Sequence, residues 1–421
     1  MARPKAGFPL PPTSRPAIAD PTTHLLRFTG DDRPGLTAEL SVALARQGAA
    51  VLDLNEAVIH DTFVMGVMVR FPREAGLHSL EAAASELGLR LRSEPIADAE
   101  YDAWCEQEGK PRHILSLLTR AVTAAQLAAV TGEIARQGLN IDLIHRLSGR
   151  PRRDETEGSR RACVEFWVRG DPRDTTDMQA RFMAIGEEHA LDLAWQRDDA
   201  YRRSRRMVAF DMDSTLIRAE VIDELAKEAG AGSKVAAITE AAMRGELDFD
   251  ASLRERVATL AGLPETTLAR VAERLPLSEG AEDLCRNLRA FGYKTAVLSG
   301  GFTYFGEHLK RRLQLDHVHA NVLEIAGGKL TGRVTGPIVN GPRKAELLKQ
   351  IAQEEGISPR QVVAVGDGAN DLPMLAAAGL GIAFHAKPKV REEAEHAVST
   401  LGLDAVLYLL GVRDRERTEE A

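Results

Sequence analysis

Past about residue 21 the chain alternates between short apolar runs and helical stretches. Residues 24–29 (HLLRFT) read as a strand that enters the turn Gly30-Asp31-Asp32-Arg33-Pro34-Gly35. Leu36, Leu40, Val42, Ala43 and Leu44 then share one helical face up to Gln47-Gly48, where the glycine suits a C-terminal cap. Residues 51–59 and 64–71 predict two strands, 77–87 a second helix, and a last short strand closes the unit near Pro95. The order β-α-β-β-α-β predicts a ferredoxin-like arrangement.

The same pattern starts again at His113, with strands at 114–118, 141–147, 163–169 and 191–195 and helices at 124–137 and 176–189. Ala45-Arg46-Gln47-Gly48 recurs as Ala135-Arg136-Gln137-Gly138 at the matching place, and Asp53 and Asp142 follow in corresponding strands. A tetrapeptide repeated at matched positions in matched patterns points to duplication. The charged stretch 148–161 predicts a mobile hairpin loop.

From about Arg206 the pattern changes. Apolar runs at 207–210, 294–298, 361–365 and 381–384 each end in a polar or glycine-rich turn, with helices at 280–291, 343–355 and 371–378. Buried strands alternating with helices predict a doubly wound parallel sheet. Ligands bind such sheets beyond the C-terminal strand ends, which singles out Asp211, Ser299, Asp367 and the residues after them. A helical, Ala- and Glu-rich insertion spans about 217–277. Residues 321–339 predict a hairpin flap around Gly327-Gly328 near the entrance.

Composition narrows this picture. At 421 residues the chain predicts two to three domains. The division expected is a disordered tail at 1–21, small units at 22–102 and 110–198, a larger α/β domain at 205–411 and a charged tail at 412–421. A formal charge of −8 argues against a nucleic-acid binder. No apolar run is long enough to span a membrane, and the proline-rich start lacks the apolar core of a signal peptide. The three cysteines are scattered, as expected of reduced thiols in a cytoplasm.

The chemistry concentrates at four places. Val208-Ala209-Phe210-Asp211-Met212-Asp213-Ser214-Thr215 carries two carboxylates off one apolar strand, which is costly unless a cation or proton separates them. Gly366-Asp367-Gly368-Ala369-Asn370-Asp371 brings more acid to a second strand end, and such oxygens suit Mg²⁺. Ser299-Gly300-Gly301 offers a hydroxyl and permissive backbone for phosphate oxygens. Lys344 opens a helix, where a cation opposes the macrodipole unless a bound anion offsets it.

These four segments resemble the haloacid dehalogenase superfamily of phosphatases, over about 206–411. The resemblance implies that Asp211 attacks phosphorus and becomes phosphorylated, with Asp213 as acid and base. It implies Mg²⁺ held by Asp211, Asp367 and the backbone carbonyl of Asp213, with Ser299, Gly300, Lys344 and Asn370 around the phosphoryl group. The insertion resembles the cap of the phosphoserine phosphatase family, through Glu220, Glu240-Ala241-Ala242-Met243, Leu247-Asp248-Phe249 and Ser252-Leu253-Arg254-Glu255-Arg256. That likeness implies O-phospho-L-serine as substrate in the last step of serine biosynthesis. Glu220 is then expected on its ammonium, Arg256 on its carboxylate, and Met243 and Phe249 as apolar lid contacts. Another phosphate ester or a phosphoprotein is the alternative within this chemistry, and an amino-acid sensor with an inert core the alternative outside it. Residues 22–198 resemble two ACT domains, carried by Asp32-Arg33-Pro34-Gly35-Leu36, which implies an amino-acid effector; Thr119-Arg120-Ala121-Val122 in the second unit lacks the glycine. A homodimer is expected.

Overall fold

The computed structural model describes residues 22–72, 76–150 and 160–418. The expected tail at 1–21, residues 151–159 of the charged loop and residues 419–421 lie outside the described residues. The chain divides into two compact units, Met1–Lys110 and Pro111–Ala421.

The first unit runs β1 (Thr22–Asp31), α1 (Leu36–Arg46), β2 (Ala50–Ile59), β3 (Thr62–Phe71), α2 (Gly76–Glu86), β4 (Arg90–Ile96) and α3 (Asp98–Cys105). Its sheet has the antiparallel order β2-β3-β1-β4, as the ferredoxin-like pattern predicts. Alternation decides the packing. Phe63, Met65, Val67, Val69 and Phe71 of β3 all face inward and meet Leu36, Leu40 and Leu44 of α1.

The second unit opens with the same plan: β5 (Arg112–Thr119), α4 (Ala124–Arg136), β6 (Asn140–Arg146), β7 (Ala162–Arg169), α5 (Thr175–His189) and β8 (Asp192–Arg197), in sheet order β6-β7-β5-β8. Here the central strand is not amphipathic. Ile114, Leu115, Ser116, Leu117 and Leu118 are all buried, because helices cover one face and the larger domain covers the other. Leu118, Leu147, Cys163 and Ala194 belong to the same apolar cluster as Leu401, Val406 and Leu407. A buried Arg202–Glu165 pair at 2.5 Å lies beside it.

The larger domain comprises β9 (Met207–Phe210), α6 (Val221–Glu228), α7 (Gly232–Met243), α8 (Phe249–Ala258), α9 (Thr266–Arg274), α10 (Ala281–Ala290), β10 (Lys294–Phe302) and α11 (Thr303–Leu313). β11 (His317–Ala326), β12 (Lys329–Thr335), α12 (Gly341–Glu354), β13 (Val362–Gly366), α13 (Leu372–Ala377), β14 (Leu380–Phe384), α14 (Pro388–Glu393), β15 (His396–Val398) and α15 (Val406–Leu409) complete it. The sheet order is β12-β11-β10-β9-β13-β14-β15, parallel except for β12. Both faces of β9 are buried: Val208 and Phe210 in one core, Met207 and Ala209 in the other. The hairpin β11–β12 forms around Gly327-Gly328, but it braces the helical insertion instead of lining an entrance. Gly262 N–H donates to the Leu330 carbonyl at 2.8 Å, and none of residues 321–339 lines the catalytic cavity.

Candidate active site

Register assembles the site. Phe210 sits level with Val297 of β10 on one side and Val365 of β13 on the other, so Asp211, Ser299 and Asp367 emerge together at three adjacent strand ends. This is the switch point of the sheet, from which successive connections leave in opposite directions. The Asp211 N–H donates to the Val365 carbonyl at 2.8 Å, which fixes the residue one step beyond the strand.

Lys344 is the centre of the charge arrangement. Asn340 caps α12, its side chain accepting from the Arg343 N–H at 3.2 Å, and the helix then carries Lys344 beneath the strand ends, fully buried. Its Nζ lies 2.6 Å from Asp371 Oδ1 and 2.8 Å from Asp211 Oδ1. Burial works against its charge, but the two carboxylates outweigh that and hold the ammonium protonated well above the ordinary lysine range. Burial, with Asp371 nearby, pushes Asp211 up to about 7 despite the lysine. Asp367 is pushed up to about 8 by burial and by Asp211 and Asp371. Asp213 is raised well above the carboxylate range by burial, then by Glu220 and Asp211.

Oxygens of Asp211, Asp367 and Asp371 lie within 4.8 Å of one another. Three carboxylates and one ammonium leave a formal deficit of two positive charges, and a divalent cation with a preference for oxygen fits it. Asp371 is spent on the protein: Lys344 takes Oδ1, and the N–H groups of Asp367 (3.1 Å) and Gly368 (3.0 Å) donate to Oδ2. Asp211 and Asp367 each keep Oδ2 free of hydrogen bonds among the described residues, their Oδ1 atoms being held by Met212 N–H and Lys344, and by Thr215, respectively.

The D-x-D turn is built by Ser214, whose φ of 55° is left-handed. That conformation is sparsely populated for serine, and the turn is secured by the Ser214 hydroxyl donating to Glu220 at 2.8 Å. Asp213 accepts from the first N–H of α6, at Val221, at 3.2 Å, which ties the insertion to the reacting centre. Ser299 is buried, and its hydroxyl accepts from Gly301 N–H at 2.9 Å. Asp211, Asp213, Glu220, Phe249, Arg256, Ser299, Gly300, Asp367 and Asn370 line one open cavity of about 1180 Å³. Glu220 stands exposed in it. Arg256 donates to the Ser252 carbonyl at 3.3 Å and forms no ion pair among the described residues. Met243 ends α7, and its side chain lies outside those described.

Two supporting residues were given no role by the sequence. Thr215 orients Asp367 at 3.1 Å. Asn321 donates to the Gly300 carbonyl at 2.8 Å and accepts from Val339 N–H at 2.9 Å, which clamps the Ser-Gly-Gly turn. Thr215 sits in the first motif, which did not say which partner it would hold, and Asn321 is an isolated residue with no motif around it. Lys387 and Lys389 also reach the cavity wall.

A buried lysine among carboxylates at the switch point of a doubly wound sheet, under an inserted helical cap, defines the haloacid dehalogenase-like hydrolases. The model of that family matches residues 208–376, and an ACT-domain model matches 22–94. Phosphoserine phosphatase SerB2 of Mycobacterium tuberculosis is 43% identical over 393 residues, covering 92% of this chain and 93% of the relative. A phosphoserine phosphatase of Streptomyces coelicolor is 41% identical over 405 residues, covering 96% and 95%. The unliganded crystal structure of a probable phosphoserine phosphatase from Vibrio cholerae superposes with a TM-score of 0.56 at 39% identity, covering 71% of this chain and 86% of that one. The chain belongs to the phosphoserine phosphatase family.

Proposed function

We infer that this chain hydrolyses O-phospho-L-serine to L-serine and phosphate through a phospho-aspartate on Asp211, in the cytoplasm, as the last step of serine biosynthesis. The observation that carries the reading is that Glu220 and Arg256, which forms no ion pair among the described residues, face the same cavity as Asp211 and Asp213. An arginine fork suits a carboxylate and a glutamate an ammonium, so the pair matches the two charged ends of an amino acid.

Asp211 Oδ2 attacks phosphorus in line, and the bond from phosphorus to the serine oxygen breaks. The leaving oxygen takes the proton from Asp213, whose raised pKa keeps it an acid. Asp213 then removes a proton from water. The water oxygen attacks the acyl phosphate, releasing phosphate and restoring the Asp211 carboxylate. Lys344, Ser299, the backbone at Gly300 and Asn370 hold the phosphoryl oxygens, and Phe249 with Met243 excludes water. Asp211, Asp367 and the carbonyl of Asp213 would hold Mg²⁺, which supplies charge neutralisation at the phosphoryl group.

Phosphate release from phosphoserine with Mg²⁺, abolished in Asp211→Asn, is the direct test. Arg256→Ala is expected to raise KM for phosphoserine on the order of a hundredfold while raising that for an aryl phosphate little. Equal losses on both substrates would overturn the role of Arg256.

The functional division goes with this reading: an ACT-like pair at 22–102 and 110–198, and a catalytic domain at 205–411 with its cap at 217–277. An amino-acid effector at the first ACT-like unit is supported by α1, whose N-cap is Gly35 at φ 97° with no side-chain cap, so its first N–H groups are open. A homodimer is supported by Val51, Leu54, Val58 and Ile59, all exposed on edge strand β2. Light scattering of the purified chain gives the oligomeric state.

A further inference from the structure

A second cleft lies within the Pro111–Ala421 unit, between α5 and β8 of the second ferredoxin-like sheet and α14 and β15 of the catalytic domain. It holds about 160 Å³ and has an apolar floor of Phe182, Met183, Trp195, Ala394 and Ala397. A dry cavity of about this size accepts a single aromatic ring.

Its charged groups are unbalanced. Asp192 lines the cleft although it is only 8% exposed. All three of its hydrogen bonds, from Ser399 N–H (2.8 Å), Thr400 N–H (2.8 Å) and the Thr400 hydroxyl (2.6 Å), go to Oδ2. Among the described residues Oδ1 takes none and no cation lies within ion-pair distance of it. At the rim Arg391 is already paired with Glu187 at 2.7 Å, while Glu392 and Glu395 add two more carboxylates. That oxygen is reached by solvent from the cleft, so a bound donor there takes the place of water.

We propose that this cleft binds a small molecule with an aromatic or similarly compact apolar body and an ammonium group, the body on Trp195 and Phe182 and the ammonium on Asp192 Oδ1. The site is separate from the catalytic cavity but shares a wall with it. Residues 387–395 contribute Lys387 and Lys389 to the catalytic cavity and Arg391, Glu392, Ala394 and Glu395 to the cleft. Occupancy therefore bears on α14 and, through its lysines, on the KM for the phosphate substrate; this second effect rests on the phosphatase reading, and the binding does not.

Calorimetry on the full chain with 2-phenylethylamine, and with 3-phenylpropionate as a like-shaped anion, tests the site. The amine is expected to bind and the acid not. Asp192→Asn keeps an oxygen for the three hydrogen bonds but removes the charge, and it is expected to weaken the amine on the order of tenfold. Glu392→Gln with Glu395→Gln, both at the exposed rim, weakens it about threefold without disturbing the fold. Equal binding of amine and acid, or binding untouched by either variant, would overturn the site. Saturating amine is expected to change KM for phosphoserine with kcat little altered, and an unaltered KM would overturn the link through α14. Amine binding by a chain that turns over no phosphoserine would leave the site standing and count against the catalytic reading instead.

Discussion

Lys344 shows how much of the active site a single side chain holds. It is fully buried between Asp211 and Asp371, so Lys344→Met leaves two facing carboxylates uncompensated. The expected cost is about 3–5 kcal/mol in urea unfolding, with turnover lost. Adding Asp371→Asn to that variant is expected to recover part of the stability and none of the turnover. The sequence could place Lys344 at a helix start but not beneath a sheet, because its depth depends on the α12–α13 packing. Asp211, Asp213, Ser299 and Asp367 were legible since each follows an apolar run, where strand-end chemistry is written in consecutive letters. Asn321 was not, since a single polar residue looks the same whether it clamps a turn or faces water, and the motif that contains Thr215 did not name Asp367 as its partner. His396 gives a pH prediction of its own. Burial, with Arg205 nearby, lowers it from 6.5 to about 4, so the folded state favours the neutral ring. Its contribution, on the order of 3 kcal/mol, is present above pH 6.5 and is lost as the pH falls from there towards 4. Unfolding followed across that range in the wild type and in His396→Gln checks it: the variant should show a flatter decline.

Between elements, small residues set the geometry. A Cβ on Gly300 would stand 2.8 Å from the Phe249 ring, so the glycine lets α8 of the cap close over the end of β10. Gly300→Ala is expected to displace the ring and raise KM for phosphoserine severalfold with little change in Tm, read by steady-state kinetics and calorimetry. The two first helices of the ferredoxin-like units also differ in a way the repeated tetrapeptide hid. Gly35 leaves the start of α1 open, whereas Thr123 and Gln126 close α4 with a reciprocal capping box at 3.2 and 2.9 Å. The missing glycine at Thr119-Arg120-Ala121-Val122 was the readable sign of that difference. The hairpin at 321–339 was legible as a hairpin from Gly327-Gly328, but its docking on the cap was not, because register and turn chemistry say nothing about which surface a flap will meet.

Across the whole chain, the natural cut falls at Lys110, ahead of the second ferredoxin-like sheet. The strand at 114–118 was legible from its apolar residues, but its burial on both faces was not, because Ser116 interrupts the run and nothing in the sequence marked a second layer. The C-terminal segment secures the same joint. Arg417, its side chain 5% exposed, reaches Asp404 at 2.7 Å and Asp414 at 3.1 Å and lies over the Tyr408 ring, while Arg161 from the other side meets Asp404 at 2.5 Å. What read as a charged tail is in part an ionic clasp. A fragment of residues 111–421 is therefore expected to melt cooperatively and keep phosphatase activity, whereas 199–421 exposes Leu401, Val406 and Leu407 and aggregates. Size-exclusion chromatography and scanning calorimetry of the two fragments distinguish these outcomes.

The shared cluster around Leu118, Cys163, Ala194 and Val406 also carries a historical consequence. The two ferredoxin-like units stand under unequal constraint. The first can drift in sequence, be exchanged for another sensor or be dropped, because its core is its own. The second cannot leave without its host acquiring a new polar surface. Lineages that discard the repeats are thus expected to show compensating hydrophilic substitutions along the equivalents of β15 and α15, and those that discard only the first to show none.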